Sequence, residues 1–109
     1  MTLKEEMDSK IFSVISKWKN TKKKAMFGGF GYYLNGNMIA GIHGKSYVIR
    51  LGPEIAKTAI KLPIFKNFTV SGKIRKGWVI AKPEAFSNNE ILLEWLNKAK
   101  NFVDSLPPR

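Results

Sequence analysis

Residues 25–51 read AMFGGFGYYLNGNMIAGIHGKSYVIRL, and this stretch decides the fold. Met26, Phe30, Tyr32 and Leu34 fall on one side of an extended run, with Phe27 and Tyr33 on the other. Asn35-Gly36 then supplies the strongest hairpin signal in the chain, because a two-residue type I′ turn needs positive φ at both central positions. The return strand is read over residues 37–42, and His43-Gly44-Lys45 turns the chain into a third strand over residues 46–51. Connections this short join antiparallel neighbours, so the segment is expected to form a meander.

The flanks change period. Thr2 and Glu5 have the spacing of a capping box, and Leu3, Met7, Ile11, Val14, Ile15 and Trp18 follow at helical intervals. Asn20-Thr21-Lys22-Lys23-Lys24 interrupts that pattern and reads as a charged loop. Beyond the meander, Gly52-Pro53-Glu54 opens a short helix over residues 53–61, with Ile55, Ala56, Ala59 and Ile60 as its apolar stripe. Two further strands are read at 68–71 and 77–82, joined by Gly72-Lys73-Ile74-Arg75-Lys76. Ser87 with Glu90 is a second capping-box spacing, and Ile91, Leu92, Trp95, Leu96, Ala99, Phe102, Val103 and Leu106 give the most regular helical face before Pro107-Pro108 stops it. The expected fold is therefore α+β in the order α-β-β-β-α-β-β-α. Two layers, a five-stranded antiparallel sheet with helices on one face, enclose one core in a single domain spanning residues 1–109.

The charge is uneven. A net +11 on 109 residues resolves into a middle segment, residues 17–82, that carries +13 with Glu54 as its one acid, while each end carries −1. Lysine predominates over arginine, which suits phosphate contact more than the bidentate reading of base edges. Lys22, Lys23, Lys24, Lys73, Arg75 and Lys76 are the candidate polyanion-binding residues. If the fold sets the two clusters on one surface, weak, salt-sensitive and sequence-tolerant nucleic-acid binding follows; if it scatters them, a solvated surface does.

Several chemistries are excluded or unsupported. The chain has no cysteine, hence no disulfide, thiolate metal site or cysteine nucleophile. Gly28-Gly29-Phe30-Gly31 has Leu34 where a dinucleotide-binding loop needs its third glycine, and Gly44-Lys45-Ser46 has Ile39 where a P-loop needs its first. His43 is the sole histidine, in a turn without a recognisable partner set. Trp18 and Trp95 read as packing residues, whereas Phe27, Tyr33 and Trp78 are placed on an open sheet face near lysines. The polar residues 1–10 and the absence of a long apolar run read as a cytoplasmic protein with no membrane partner.

Met26-Phe27-Gly28-Gly29, Asn35-Gly36-Asn37-Met38 with Gly41, Arg50-Leu51-Gly52-Pro53-Glu54, Gly72-Lys73, Lys76-Gly77-Trp78-Val79 and Ser105-Leu106-Pro107-Pro108-Arg109, in this order and spacing, resemble the TfoX N-terminal domain family. The resemblance implies a two-layer α+β domain similar to the secretion-chaperone-like fold. It also suggests a regulatory role, since the family takes its name from regulators of natural competence, in which a second, helical domain follows. This chain looks like a stand-alone member. Ile74-Arg75 stands where the family usually has a Pro-Met pair. The resemblance supplies no catalytic residues and no cofactor. The expectation is a non-enzymatic binding module whose partner is a protein or a second copy of itself, with nucleic acid as the alternative.

Overall fold

The computed structural model describes residues 2–26 and 28–109. Helix α1 (Leu3–Ile15) begins with the expected capping box: the Thr2 hydroxyl accepts from the Glu5 N–H at 3.1 Å, and the Glu5 carboxylate reaches back to the Thr2 N–H. It ends earlier than the apolar spacing suggested, where the Ile15 carbonyl accepts from the Trp18 N–H at 3.0 Å and from the Thr21 hydroxyl at 3.2 Å. Trp18 still packs against the core from the turn that follows.

The sheet has six strands, where five were expected. They are β1 (Thr21–Met26), β2 (Gly29–Leu34), β3 (Asn37–His43), β4 (Ser46–Arg50), β5 (Lys66–Val70) and β6 (Lys73–Ala81), in the spatial order β1-β2-β3-β4-β6-β5, all antiparallel. The additional strand is the lysine run. Its low strand propensity hides it, but lysines suit an edge strand whose outer rim faces water and must not recruit another chain. Likewise, the connection read at residues 72–76 is mostly strand. Ser71 and Gly72 alone make the turn, both at positive φ (53° and 78°), so β6 starts at Lys73.

Asn35 and Gly36 adopt φ of 54° and 82°, as the expected type I′ turn requires. Gly36 has a second duty, because a Cβ there would collide with the backbone of Arg109. The C-terminal segment lies against this turn: the Arg109 N–H donates to the Asn35 carbonyl at 2.8 Å, and buried Asn37 donates to the Pro107 carbonyl at 3.0 Å.

Helices α2 (Pro53–Ala59) and α3 (Asn89–Asp104), with a 3-10 turn at Pro83–Phe86, join α1 on one face of the sheet. Asn88, not Ser87, caps α3, accepting from the Glu90 N–H at 2.8 Å. Met7, Ile11 and Ile15 of α1 and Leu92, Leu96, Ala99 and Val103 of α3 interdigitate with Tyr32, Leu34, Ile39, Ile42, Tyr47, Ile49 and Val79 of the sheet. Each such large side chain contributes about 1.5–3 kcal/mol on burial. Tyr32 is buried with its hydroxyl donating to Asp8 at 2.6 Å, and burial beside that carboxylate holds its pKa above the ordinary tyrosine value.

Candidate polyanion-binding face

Strand alternation assigns the lysine run to two surfaces. Lys23 pairs with Tyr32 on the helix-covered side, where its ammonium meets Asp8 at 3.0 Å and lies 5.1 and 4.9 Å from the rings of Phe12 and Phe30. Lys22, opposite Tyr33, and Lys24, opposite Gly31, stand on the uncovered side, with the Lys24 ammonium 5.0 Å from the Tyr33 ring. The three consecutive lysines therefore do not form one cluster.

The uncovered side is curled. Strands β3 and β5 are separated by β4 and β6, so at about 4.8 Å per strand a flat sheet would hold their residues about 14 Å apart. Yet the rings of His43 on β3 and Phe68 on β5 are 5.9 Å apart, edge to face, and Phe68 is 6.4 Å from Trp78. The bend has a local cause. The β5–β6 ladder slips between Asn67 and Thr69, and Gly77 sits at φ 90° with its carbonyl accepting from both the Leu51 and Gly52 N–H groups at 2.8 and 3.1 Å. A Cβ on Gly77 would press on the Gly52 backbone at 3.2 Å, so glycine is needed there for both conformation and space.

The curl brings the tip of the β5–β6 hairpin toward the far end of the sheet. Met26 of β1, Met38 and His43 of β3, Val48 of β4, and Phe68, Val70, Arg75 and Trp78 of the last two strands line one concavity of about 240 Å³. Its floor is low because Gly31 and Gly41 face each other across β2 and β3, and the side chains of Met26 and Met38 fold over them. Val48 is buried beneath this lining although it lies on the face away from the helices.

Of the six candidate cations, Lys22, Lys24, Lys73 and Arg75 share the open face. Arg75 lines the concavity, Lys73 is paired with Val70 of its lining, and Lys24 lies two residues from Met26 on the same side of β1. Lys23 is on the other face, and alternation along β6 sends Lys76 to the side of Ile74, which pairs with Thr69. Arg50 is held internally: its guanidinium donates to the Met38 carbonyl at 3.3 Å and lies between the rings of Trp78 and Phe102 at 5.4 and 5.7 Å. Burial, with Arg109 nearby, pulls its pKa below the usual arginine value.

Charge is divided between the layers. Glu5, Glu6, Asp8, Glu54, Glu84, Glu90, Glu94 and Asp104 all lie on helical segments, and among the described residues no strand holds an acid. The strands carry +8 of the net +11.

The expected open-face position of Tyr33 and Trp78 is observed; Phe27 lies outside the described residues. Sequence reasoning did not connect Phe68, Val70, His43 and Met38 with the same surface. The available signal was the shared parity of Lys66, Phe68 and Val70, but the curl that folds them inward depends on a bulge that no local pattern announces. Met26 leaves the expected line with Phe30, Tyr32 and Leu34, because the chain reverses between Met26 and Gly29 and places it on another strand.

The motif glycines are mostly backbone positions: Gly28, Gly36, Gly72 and Gly77 have positive φ, and Gly29 and Gly41 are sites of close strand approach. Pro53 occupies the first turn of α2. Among the described residues no helix is long and apolar enough to cross a membrane. Comparison with curated proteins and with solved structures gives no match. The model of the TfoX N-terminal domain matches residues 13–103, which include every strand and most of the helical layer, and the chain belongs to that family.

Proposed function

We propose that this TfoX-type domain is a non-enzymatic regulatory module that binds nucleic acid, with little sequence preference, through the open face of its sheet. The observation that carries this reading is the division of charge: four of the six candidate cations stand on one uncovered face, and among the described residues the strands contain no acid. Such a face neutralises phosphates and releases their counterions, which gives affinity without base readout. The near absence of free arginine there argues against recognition of specific base edges.

A protein partner is favoured by a different feature, the exposure of Met26 (45%) and Val70 (43%), which both line the concavity of the open face. Fluorescence anisotropy with labelled single-stranded and duplex oligonucleotides at four salt concentrations separates the two readings. Nucleic-acid binding requires log affinity to fall linearly with log salt. Absence of a complex even at low salt refutes it and leaves the apolar rim as the surface to pursue, by capture from lysate after nuclease treatment.

A further inference from the structure

The concavity on the open face has a size and a chemistry that identify its occupant more narrowly than the surrounding charge does. At about 240 Å³ it is smaller than the roughly 300–1,000 Å³ of a pocket for a drug-sized ligand, so it accepts a single ring system. Beside aliphatic Val48 and Val70, its walls carry aromatic and polarizable groups: Phe68 and Trp78, the His43 imidazole, and Met26 and Met38 over a glycine floor. Methionine adapts its shape to what it contacts, and aromatic rings take any base by its π-face.

The backbone beneath is engaged in the ladders between β2, β3, β4 and β6, so an extended peptide finds no free main-chain partners on this face. What remains available is ring surface flanked by cations: Arg75 in the lining, with Lys73 and Lys24 beside it. Ring plus adjacent phosphate is the chemistry of a nucleotide. A duplex keeps its bases stacked and presents phosphates outward, so the rings inside the concavity are reached only by an unstacked base.

We infer that the concavity between Met26, Met38, Phe68 and Trp78 holds one unstacked base of a single-stranded nucleic acid, with Arg75 and Lys24 on its flanking phosphates. This rests on the polyanion reading above and makes it specific to single strands. The Phe68 ring is the contact the inference needs most, because it stands at the irregularity of β5, within reach of both His43 and Trp78.

The test compares three labelled probes of about twelve nucleotides: an oligothymidylate, a duplex of equal length, and an abasic deoxyribose-phosphate chain that keeps the charge and lacks bases. The single strand is expected to bind about tenfold more tightly than the abasic chain. Phe68→Leu, which retains apolar bulk and removes the ring, should erase that advantage while leaving abasic binding as in the wild type. Equal affinity for single strand and abasic chain, tighter binding of the duplex, or an advantage that survives Phe68→Leu in a folded variant overturns the base pocket and leaves polyanion binding standing. Binding of none of the three probes overturns both. Should Phe68→Leu fail to fold, the wild-type comparison of oligothymidylate with the abasic chain decides alone.

Discussion

Replacing lysines one face at a time tests whether the charge acts by position. Lys22 and Lys24 project from the open face of β1, whereas Lys23 between them is turned to Asp8 on the other. Removing one lysine–phosphate pairing lowers the magnitude of the slope of log affinity against log salt by about 0.7 for a single strand and about 0.9 for a duplex. Lys22→Gln combined with Lys24→Gln is therefore expected to reduce the slope by up to about 1.4 on a single strand. Lys24 contributes fully only if it leaves the Tyr33 ring, 5.0 Å away, for the phosphate. Lys23→Gln removes one positive charge yet should leave the slope nearly unchanged; its effect belongs to stability. The lysine and Asp8 side chains are 33% and 19% exposed, so loss of the pair costs up to about 1 kcal/mol. Lys98→Gln with Lys100→Gln, in the helical layer that carries the acids, serves as a charge-matched control for the β1 pair. Anisotropy titrations at four salt concentrations, with urea midpoints for each variant, supply both readouts. If slope follows the number of charges removed regardless of face, positional binding is refuted and net charge alone explains the affinity.

Gly29→Ala should destabilise by about 2–3 kcal/mol, because its Cβ would meet the Ile42 carbonyl oxygen across the β2–β3 ladder, whereas Gly28→Asn should cost under about 1 kcal/mol, since that position has positive φ but open space. Urea denaturation reads the difference, and equal midpoints would remove the packing explanation. Tyr32→Phe should lower stability by about 1.5–3 kcal/mol through loss of a hydrogen bond to a carboxylate, measured in the same way. Burial, with Glu6 nearby, pushes the Tyr47 pKa up to about 12. The unfolded chain releases that proton near pH 10, so stability is intact below about 10 and falls as pH rises toward 12. Tyr47→Phe, which retains the ring that meets Phe86 at 5.1 Å, should lessen this alkaline fall in urea midpoint, to which buried Tyr32 also contributes; an unaltered fall would assign it to other groups.

The elements legible in the sequence are those whose signal is local. Asn35-Gly36 demands a particular pair of dihedral angles, and the capping box at Thr2 and Glu5 is satisfied by atoms three residues apart. The α3 stripe works through a period that the helix itself imposes. What escaped depends on contacts between distant segments. The run Thr21–Met26 carries little strand propensity and becomes a strand because β2 offers it a ladder. The grouping of the six candidate cations was half legible. Their sequence clusters left open whether they share one surface, and period-two alternation sends alternate members of each cluster to opposite faces.

The same alternation explains why charge and concavity occur together. Met26, Met38 and Val70 would be an aggregation liability on the exposed end of a sheet if nothing kept other chains away. Lys22, Lys24, Lys73 and Arg75 stand on that face, so a face-to-face pairing of two copies would bring cations against cations with no acid among the described strand residues to offset them. On the reading proposed above, like-charge repulsion would disfavour a second copy on this surface while a polyanion would be drawn to it. The helical layer holds the acids, and one of them, Asp8, ties down the lysine that faces it. The fold thus keeps the sheet's positive field on the uncovered side, where the bulge at Asn67/Thr69 and the turn of Gly77 have curled the aromatic residues toward one another.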